Sequence, residues 1–260
     1  MLRVTDARKI FYRNTPDERR ALDGTSVSLD KGEFCVVIGS NGAGKSSLLN
    51  AISGKLPLDE GRIEVAGDDL TSQPVHKRAA KIACVFQDPM IGTAPTMTVA
   101  ENMLLADLRG GWPRLKLGLS TERRNKFREK LAVIGLGLED RMDTNVGLLS
   151  GGQRQSLSLV MAVSNNPDLL LLDEHTAALD PRTASLVMEA TAKAVEQYNL
   201  TALMVTHNMA HAVEYGDSLI MMDSGRVRLS LTGQEKADAT VETLIERFHQ
   251  APDWLMLQEA

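Results

Sequence analysis

The chain has 260 residues, is 43% hydrophobic and 24% charged, and carries a formal net charge of −5. That length can bury a real core as one domain with a short tail, and the composition excludes disordered, collagen-like and mucin-like classes. The negative balance gives no general attraction to nucleic acid, so no nucleic-acid partner is expected, and no apolar run approaches the roughly 20 residues of a membrane span.

In chain order, residues 1–13 lack the continuous apolar stretch of a secretory signal, which predicts a cytoplasmic location. Apolar runs of strand length follow at 33–38, 80–86, 169–172 and 201–205, several of them leading into helical periods. This predicts an α/β fold with a mainly parallel sheet. Cys35 and Cys84 fall inside such runs and read as core thiols, not as a disulfide framework. From 95 to 165 the pattern turns helical, an inserted helical subdomain spanning about 90–165. Thr98-Val99-Ala100-Glu101 has the spacing of a capping box and starts a helix there. The cations between 109 and 130 are interspersed with Glu122 and Glu129 and read as a solvated helix face, with a docking or lipid-headgroup surface as the alternative. Val241, Leu244, Ile245 and Phe248 recur on one helical face, giving 233–260 a C-terminal amphipathic helix packed on the body and a loosely held tail beyond Pro252.

Gly39-Ser40-Asn41-Gly42-Ala43-Gly44-Lys45-Ser46 is a P-loop pattern between the run ending at Ile38 and a helical period carrying Leu48, Leu49 and Ile52. Glycines let the backbone wrap a phosphate, the helix N-terminus adds positive dipole, Lys45 neutralises phosphate oxygens and the Ser46 hydroxyl reaches Mg²⁺. An ordinary glycine-rich turn would not need the lysine and serine at these places. Nucleotide binding is the consequence.

Leu169-Leu170-Leu171-Leu172-Asp173-Glu174 reads as a buried strand ending in two carboxylates. Alternation along a strand would send them to different tasks, Asp173 to the Mg²⁺ ion and Glu174 to the attacking water. Gln87 closes the strand before Asp88-Pro89 and can touch both the metal's water and the nucleophilic water; alone, such a glutamine is commonplace. His207 follows the strand at 201–205, and a lone histidine is more often structural. His211 reads as a helix-surface residue, because no acidic or cysteine partner completes a metal site.

Leu149-Ser150-Gly151-Gly152-Gln153 precedes an apolar helix. A capping box accounts for Ser150 and Gln153, but not for two glycines that each cost the first turn about 1 kcal/mol relative to Ala. Bare amides there make a second anion site.

With these residues the chain resembles ATP-binding-cassette ATPases. Leu149 to Gln153 looks like that family's signature, and the P-loop, Gln87, Asp173, Glu174, Asp180 and His207 stand in the family's order over about 2–231. The resemblance implies a P-loop NTPase core with a small antiparallel β subdomain and an inserted helical subdomain within 1–232. It also implies two cassettes sandwiching two ATP molecules head to tail, with Ser150, Gly151, Gly152 and Gln153 clamping the γ-phosphate held by the other protomer's P-loop. By the same resemblance Phe11, or failing that Tyr12, stacks on adenine, Asp180 meets the partner cassette, and His207 reads the γ-phosphate. Ser47 stands beside the P-loop where many relatives carry Thr, and His175 follows the acid pair where Pro or Ala is commoner. Neither removes a required group, so ATP and Mg²⁺ are the expected cofactors and hydrolysis the expected activity.

An intact cassette without a span points to a transport motor on the cytoplasmic face of the membrane. It would pair with a second copy and work on separate permease subunits with an extracytoplasmic substrate-binding protein, as in importers associated with amino-acid uptake. The alternative is a soluble cassette ATPase of an iron-sulfur or phosphonate-metabolism assembly. A P-loop kinase or GTPase would leave the signature residues unexplained and lacks an Asn-Lys-x-Asp guanine motif.

Overall fold

The computed structural model describes residues 1–109 and 118–249; Arg114 and Lys116 of the basic run, the side chain of Phe248 and the tail beyond Pro252 lie outside the described residues. The elements run β1 (Leu2–Phe11), β2 (Arg19–Leu29), β3 (Phe34–Gly39), α1 (Lys45–Ser53), β4 (Glu60–Val65), β5 (Asp68–Asp69), α2 (Val75–Arg78), β6 (Ile82–Val85), α3 (Val99–Asp107), α4 (Thr121–Ala132), α5 (Gly151–Val163), β7 (Leu169–Asp173), α6 (Pro181–Gln197), β8 (Thr201–Val205), α7 (Met209–Glu214), β9 (Ser218–Asp223), β10 (Arg226–Thr232), α8 (Gly233–Ala237) and α9 (Val241–His249). No helix among the described residues is long and apolar enough to cross a membrane.

Six strands form the main sheet in the order β10-β9-β3-β8-β7-β6, parallel from β9 to β6, with β10 antiparallel at the edge. Its central strands are apolar throughout because both faces are covered. Cys35, Val37, Leu169, Leu171, Leu203 and Val205 enter the core shared with α1 and the antiparallel sheet. Their alternate neighbours Val36, Ile38, Leu170, Leu172, Ala202 and Met204 enter the core behind α5 and α6.

The second sheet, ordered β2-β1-β4-β5, is the small antiparallel subdomain. Its strands carry one polar face, which dilutes their apolar signal in the sequence. It is tied to the main sheet around Asp23: Asp23 N and Thr25 Oγ1 donate to Gly225 O, and the Asp23 carboxylate accepts from Arg226 at 2.6 Å and, within its own sheet, from Arg8 at 3.1 Å, guanidiniums that hold it below the usual aspartate range. Arg78, at the end of α2, is buried, and among the described residues no carboxylate lies within ion-pair distance of it. Its guanidinium donates to Ala51 O and Ile52 O in the last turn of α1 and to Thr71 O and Gln73 O, adding to the bond that Ala51 O already accepts from the Gly54 N–H at the helix end.

The helical subdomain has a core of its own, with Met103, Phe127, Leu131, Leu138 and Met142. Thr98 and Glu101 form the capping box at the start of α3. α5 bridges the layers: Leu157 and Val160 pack into the helical core, while Leu159, Ala162 and Val163 pack behind the main sheet. Much of the basic run has structural partners here. Arg124 pairs with Asp143 at 2.7 Å, Arg109 donates to Ala162 O at 2.9 Å, and Lys130 donates to Ser164 O at 2.6 Å. At the far end of the described chain, Leu244 of α9 is fully buried beside Ala212, while Ile245 stays 36% exposed.

Candidate functional site

Sheet order decides which loops meet. With β3, β8, β7 and β6 adjacent and parallel, the segments leaving their carboxyl ends lie side by side. Those segments are the P-loop after β3, Thr206-His207 after β8, the acid pair at the end of β7 and Phe86-Gln87 after β6.

Gly42 and Gly44 of the P-loop hold φ of 86° and 102°, a region L-residues avoid. At Gly44 a Cβ would also fall 2.5 Å from Ala21 O, so glycine is doubly required. No side chain caps α1, which leaves its first-turn amides open to an anion. The Lys45 ammonium turns back onto Gly39 O at 2.7 Å and Ser40 O at 3.0 Å. Burial draws it below the usual lysine range, opposed by Glu174 and then Asp173. The cleft above the P-loop measures about 270 Å³ and is walled by Phe11, Arg19, Ala21, Asn41, Gly42, Gly44, Lys45, Ser46, Ser47 and Glu174.

The acid pair departs from simple strand alternation. β7 ends at Asp173, and Glu174 lies beyond it with φ of 43°, its N–H donating to Val205 O at 3.0 Å. That left-handed turn, and not the strand pleat, aims the second carboxylate, at a backbone cost on the order of 1 kcal/mol. Glu174 Oε2 then lies 3.2 Å from His207 Nδ1 and forms a wall of the P-loop cleft. Burial, and then the Glu174 charge, push the Asp173 carboxyl above its usual range, while Lys55 and Lys45 pull it down. Two crowded carboxylates beside one buried ammonium fit a small hard cation. Among the described residues no cluster of three His, Cys, Asp or Glu forms a cage. Magnesium keeps most of its water and takes one or two protein ligands plus phosphate oxygens, and the Ser46 hydroxyl and the Asp173 carboxylate would be such ligands.

At the tip of α5, Ser150 Oγ accepts from Gln153 N and Gln153 Oε1 accepts from Ser150 N, both at 3.3 Å. The structure supplies a packing reason for one of the two glycines. A Cβ at Gly152 would fall 2.2 Å from Thr183 Cγ2 in the first turn of α6, whereas at Gly151 the nearest atom, Leu179 Cδ2, is 3.3 Å away. Asp180 caps α6 by accepting from Thr183 N at 3.1 Å. None of Ser150, Gly151, Gly152, Gln153, Asp180 or Gln87 lines the P-loop cleft. Gln87 is exposed, and Gln155 of α5 donates to Phe86 O beside it at 3.0 Å.

Phe11 lines the cleft, but Tyr12, the fallback, is 71% exposed and does not. His211 is not a freely exposed helix residue: its ring lies edge-on to Tyr215 and its Nδ1 is buried without a partner. Arg19 also lines the cleft, and nothing in its local sequence marks it. Its place follows from the β1–β2 register, which sets it across from Phe11.

The ABC transporter family profile matches residues 22–177, more than half of the chain. The chain belongs to the ABC transporter ATPase family. This ABC ATPase is 44% identical over 251 residues to a tyrosine transport ATP-binding protein of Clostridioides difficile (strain R20291), covering 96% of this chain and 100% of that one. Its fold is similar to the dimeric post-hydrolysis state of the ATP-binding cassette MJ0796 bound to ADP and Pi, with a TM-score of 0.75 at 27% identity over 89% of this chain and 98% of the other. It is also similar to cbiO1 from Clostridium perfringens, part of the ABC transporter complex cbiONQ, with a TM-score of 0.76 at 26% identity over 96% and 95%. The chain is therefore an ATP-hydrolysing, ATP-binding subunit of the ABC transporter kind, with the P-loop NTPase fold, and ATPases of this kind work as dimers with membrane permease components.

Proposed function

We propose that this ABC ATPase pairs head to tail with a second copy of itself, so that the P-loop of one protomer and the α5 tip of the other grip one ATP. The observation that carries the proposal is the separation within one chain. Lys45, Ser46 and Glu174 share a cleft, while Ser150, Gly151, Gly152 and Gln153 lie outside it at a helix end where Ser150 and Gly151 are exposed. Phe11 stacks on adenine. The amides of residues 39–47 and the Lys45 ammonium hold the phosphates, for which Lys45 exchanges the Gly39 and Ser40 carbonyls for charged acceptors. Ser46 and Asp173, with Gln87 from the end of β6, would hold magnesium, which neutralises phosphate oxygens when bound. Glu174 takes the polarising role toward the attacking water, oriented by His207 at 3.2 Å, and Asp180 meets the partner cassette.

Docking to the permease has support in a second cavity, a groove of about 640 Å³ between the main sheet and the helical subdomain, bordered by the exposed apolar residues Val75, Ile91, Leu105 and Leu108. α3 and α5 both wall it, so a permease segment seated there would move with the α5 tip. The relative named for tyrosine transport supports import of a small solute such as an amino acid, delivered by an extracytoplasmic substrate-binding protein, with this chain peripheral on the cytoplasmic face.

Glu174→Gln tests the motor. Turnover should fall by about 10²–10⁴-fold while ATP binding persists and a dimer accumulates on size-exclusion with ATP and Mg²⁺. A monomer under those conditions removes the composite site. For the cargo, vesicles holding the complete transporter should accumulate labelled tyrosine only with ATP, and ATP-independent or absent accumulation rejects that assignment.

A further inference from the structure

Arg19 and Lys45 are the two cations in the wall of the P-loop cleft. Lys45 answers to two carboxylates, Glu174 in the wall and Asp173 behind it, so part of its charge is already offset where a polyanion must bind. Arg19 has no such opponent. Among the described residues no carboxylate lies within ion-pair distance of it, whereas its neighbour Arg20 lies 4.0 Å from Glu18 and 3.9 Å from Asp23.

The guanidinium of Arg19 lies against the P-loop itself. Nη2 is 3.4 Å from Gly42 O, a long contact to a neutral acceptor, and a Cβ at Gly42 would fall 2.6 Å from the same nitrogen. The missing side chain at Gly42 is thus what lets an arginine come this close. Its register partner across the hairpin is Phe11, but the cation facing the Phe11 ring is Lys9, 5.9 Å from the centroid. The position of Arg19 therefore favours the phosphate end of the cleft over the base.

We infer that Arg19 is a nucleotide-binding residue whose guanidinium grips phosphate oxygens of the bound nucleoside triphosphate, giving up the Gly42 carbonyl for a charged acceptor. A guanidinium presents paired N–H donors that match phosphate oxygens, and an anionic acceptor adds an attraction between opposite charges that the Gly42 carbonyl cannot supply. The inference rests on reading this cleft as the ATP site.

The test measures ATP and GTP affinity and steady-state kinetics for Arg19→Ala, Arg19→Lys and Lys45→Ala in the full chain. Arg19→Ala should weaken ATP binding by about tenfold, the size of one exposed charge-assisted bond. GTP should weaken by the same factor, because the two ligands share their phosphates. The loss should appear in KM more than in kcat, Arg19→Lys should recover part of it, and the thermal midpoint of the nucleotide-free protein should stay put. ATP affinity within twofold of the parent for Arg19→Ala, with Lys45→Ala clearly weakened, overturns the inference and leaves the cleft assignment standing. A loss for ATP but not GTP places the guanidinium on the base and overturns it too. Normal affinity in Lys45→Ala removes the cleft assignment itself.

Discussion

The N-terminus of α1 has no side-chain cap, follows two glycines at positive φ, and carries a lysine whose side chain, among the described residues, donates to carbonyls of its own loop. The N-terminus of α5 is closed by its own Ser150 and Gln153 and backed by Thr183 of α6. The first tip has no side chain over its amides, and its chemistry shows in its glycine backbone and in the perturbed titration of Lys45 and Asp173. The second satisfies itself, and its part in binding has to be argued from what it leaves exposed.

Gly152→Ala is the sharpest way to separate structure from function at the second tip. The new methyl meets Thr183 Cγ2, so α5 and α6 must part, and urea unfolding should show a loss of about 1–3 kcal/mol. Adding Thr183→Ser removes that methyl and should restore stability. If ATPase activity stays low in the stable double variant, the bare tip has a task beyond packing. If activity returns with stability, Gly152 is a packing residue and the contrast between the tips disappears.

Acid should distinguish the acid-pair side from the α5 tip. His175, next to Glu174, is fully enclosed, with Nε2 3.0 Å from Thr191 Oγ1; burial, and then His211, depress its pKa from 6.5 to about 4. A lowered pKa means the unfolded chain binds the proton more readily. The stability tied to neutral His175 is therefore complete above about pH 6.5 and drains as pH falls toward about 4. In His175→Gln the pH dependence of unfolding across that interval should flatten by up to one proton's worth, and an unchanged slope would move the titration elsewhere.

The smallest effect expected is at Asp173. Its ionised carboxyl sits beside Glu174 in a partly buried place, so Asp173→Asn should raise the thermal midpoint of the nucleotide-free protein slightly while lowering turnover. A lower midpoint would mean that Lys45 and Lys55 outweigh the crowding.

The P-loop, the acid pair and the capping boxes were legible because each is a short-range pattern whose spacing carries its own geometry. What stayed hidden depends on register or on contacts distant in sequence. The cleft position of Arg19 needs the β1–β2 pairing, the requirement for Gly152 needs α6 against α5, and the burial of Arg78 needs the end of α1. Glu174 lies between these cases: its identity was readable, but the left-handed residue that aims it was not. The basic run was readable as charge, yet its partners Asp143, Ala162 O and Ser164 O appear only once the helices are assembled.

At the rear of α5, Arg109 and Lys130 reach in from the segments after α3 and within α4, and Asn165 answers with bonds to Ala106 O and Arg109 O. A rod clamped at its base cannot pivot independently of the clamp. A tilt of α3 and α4 therefore loads the base of α5, and the tip, about 20 Å away for thirteen residues, feels it against Thr183 of α6, so movement of the helical subdomain is felt at the α5–α6 contact.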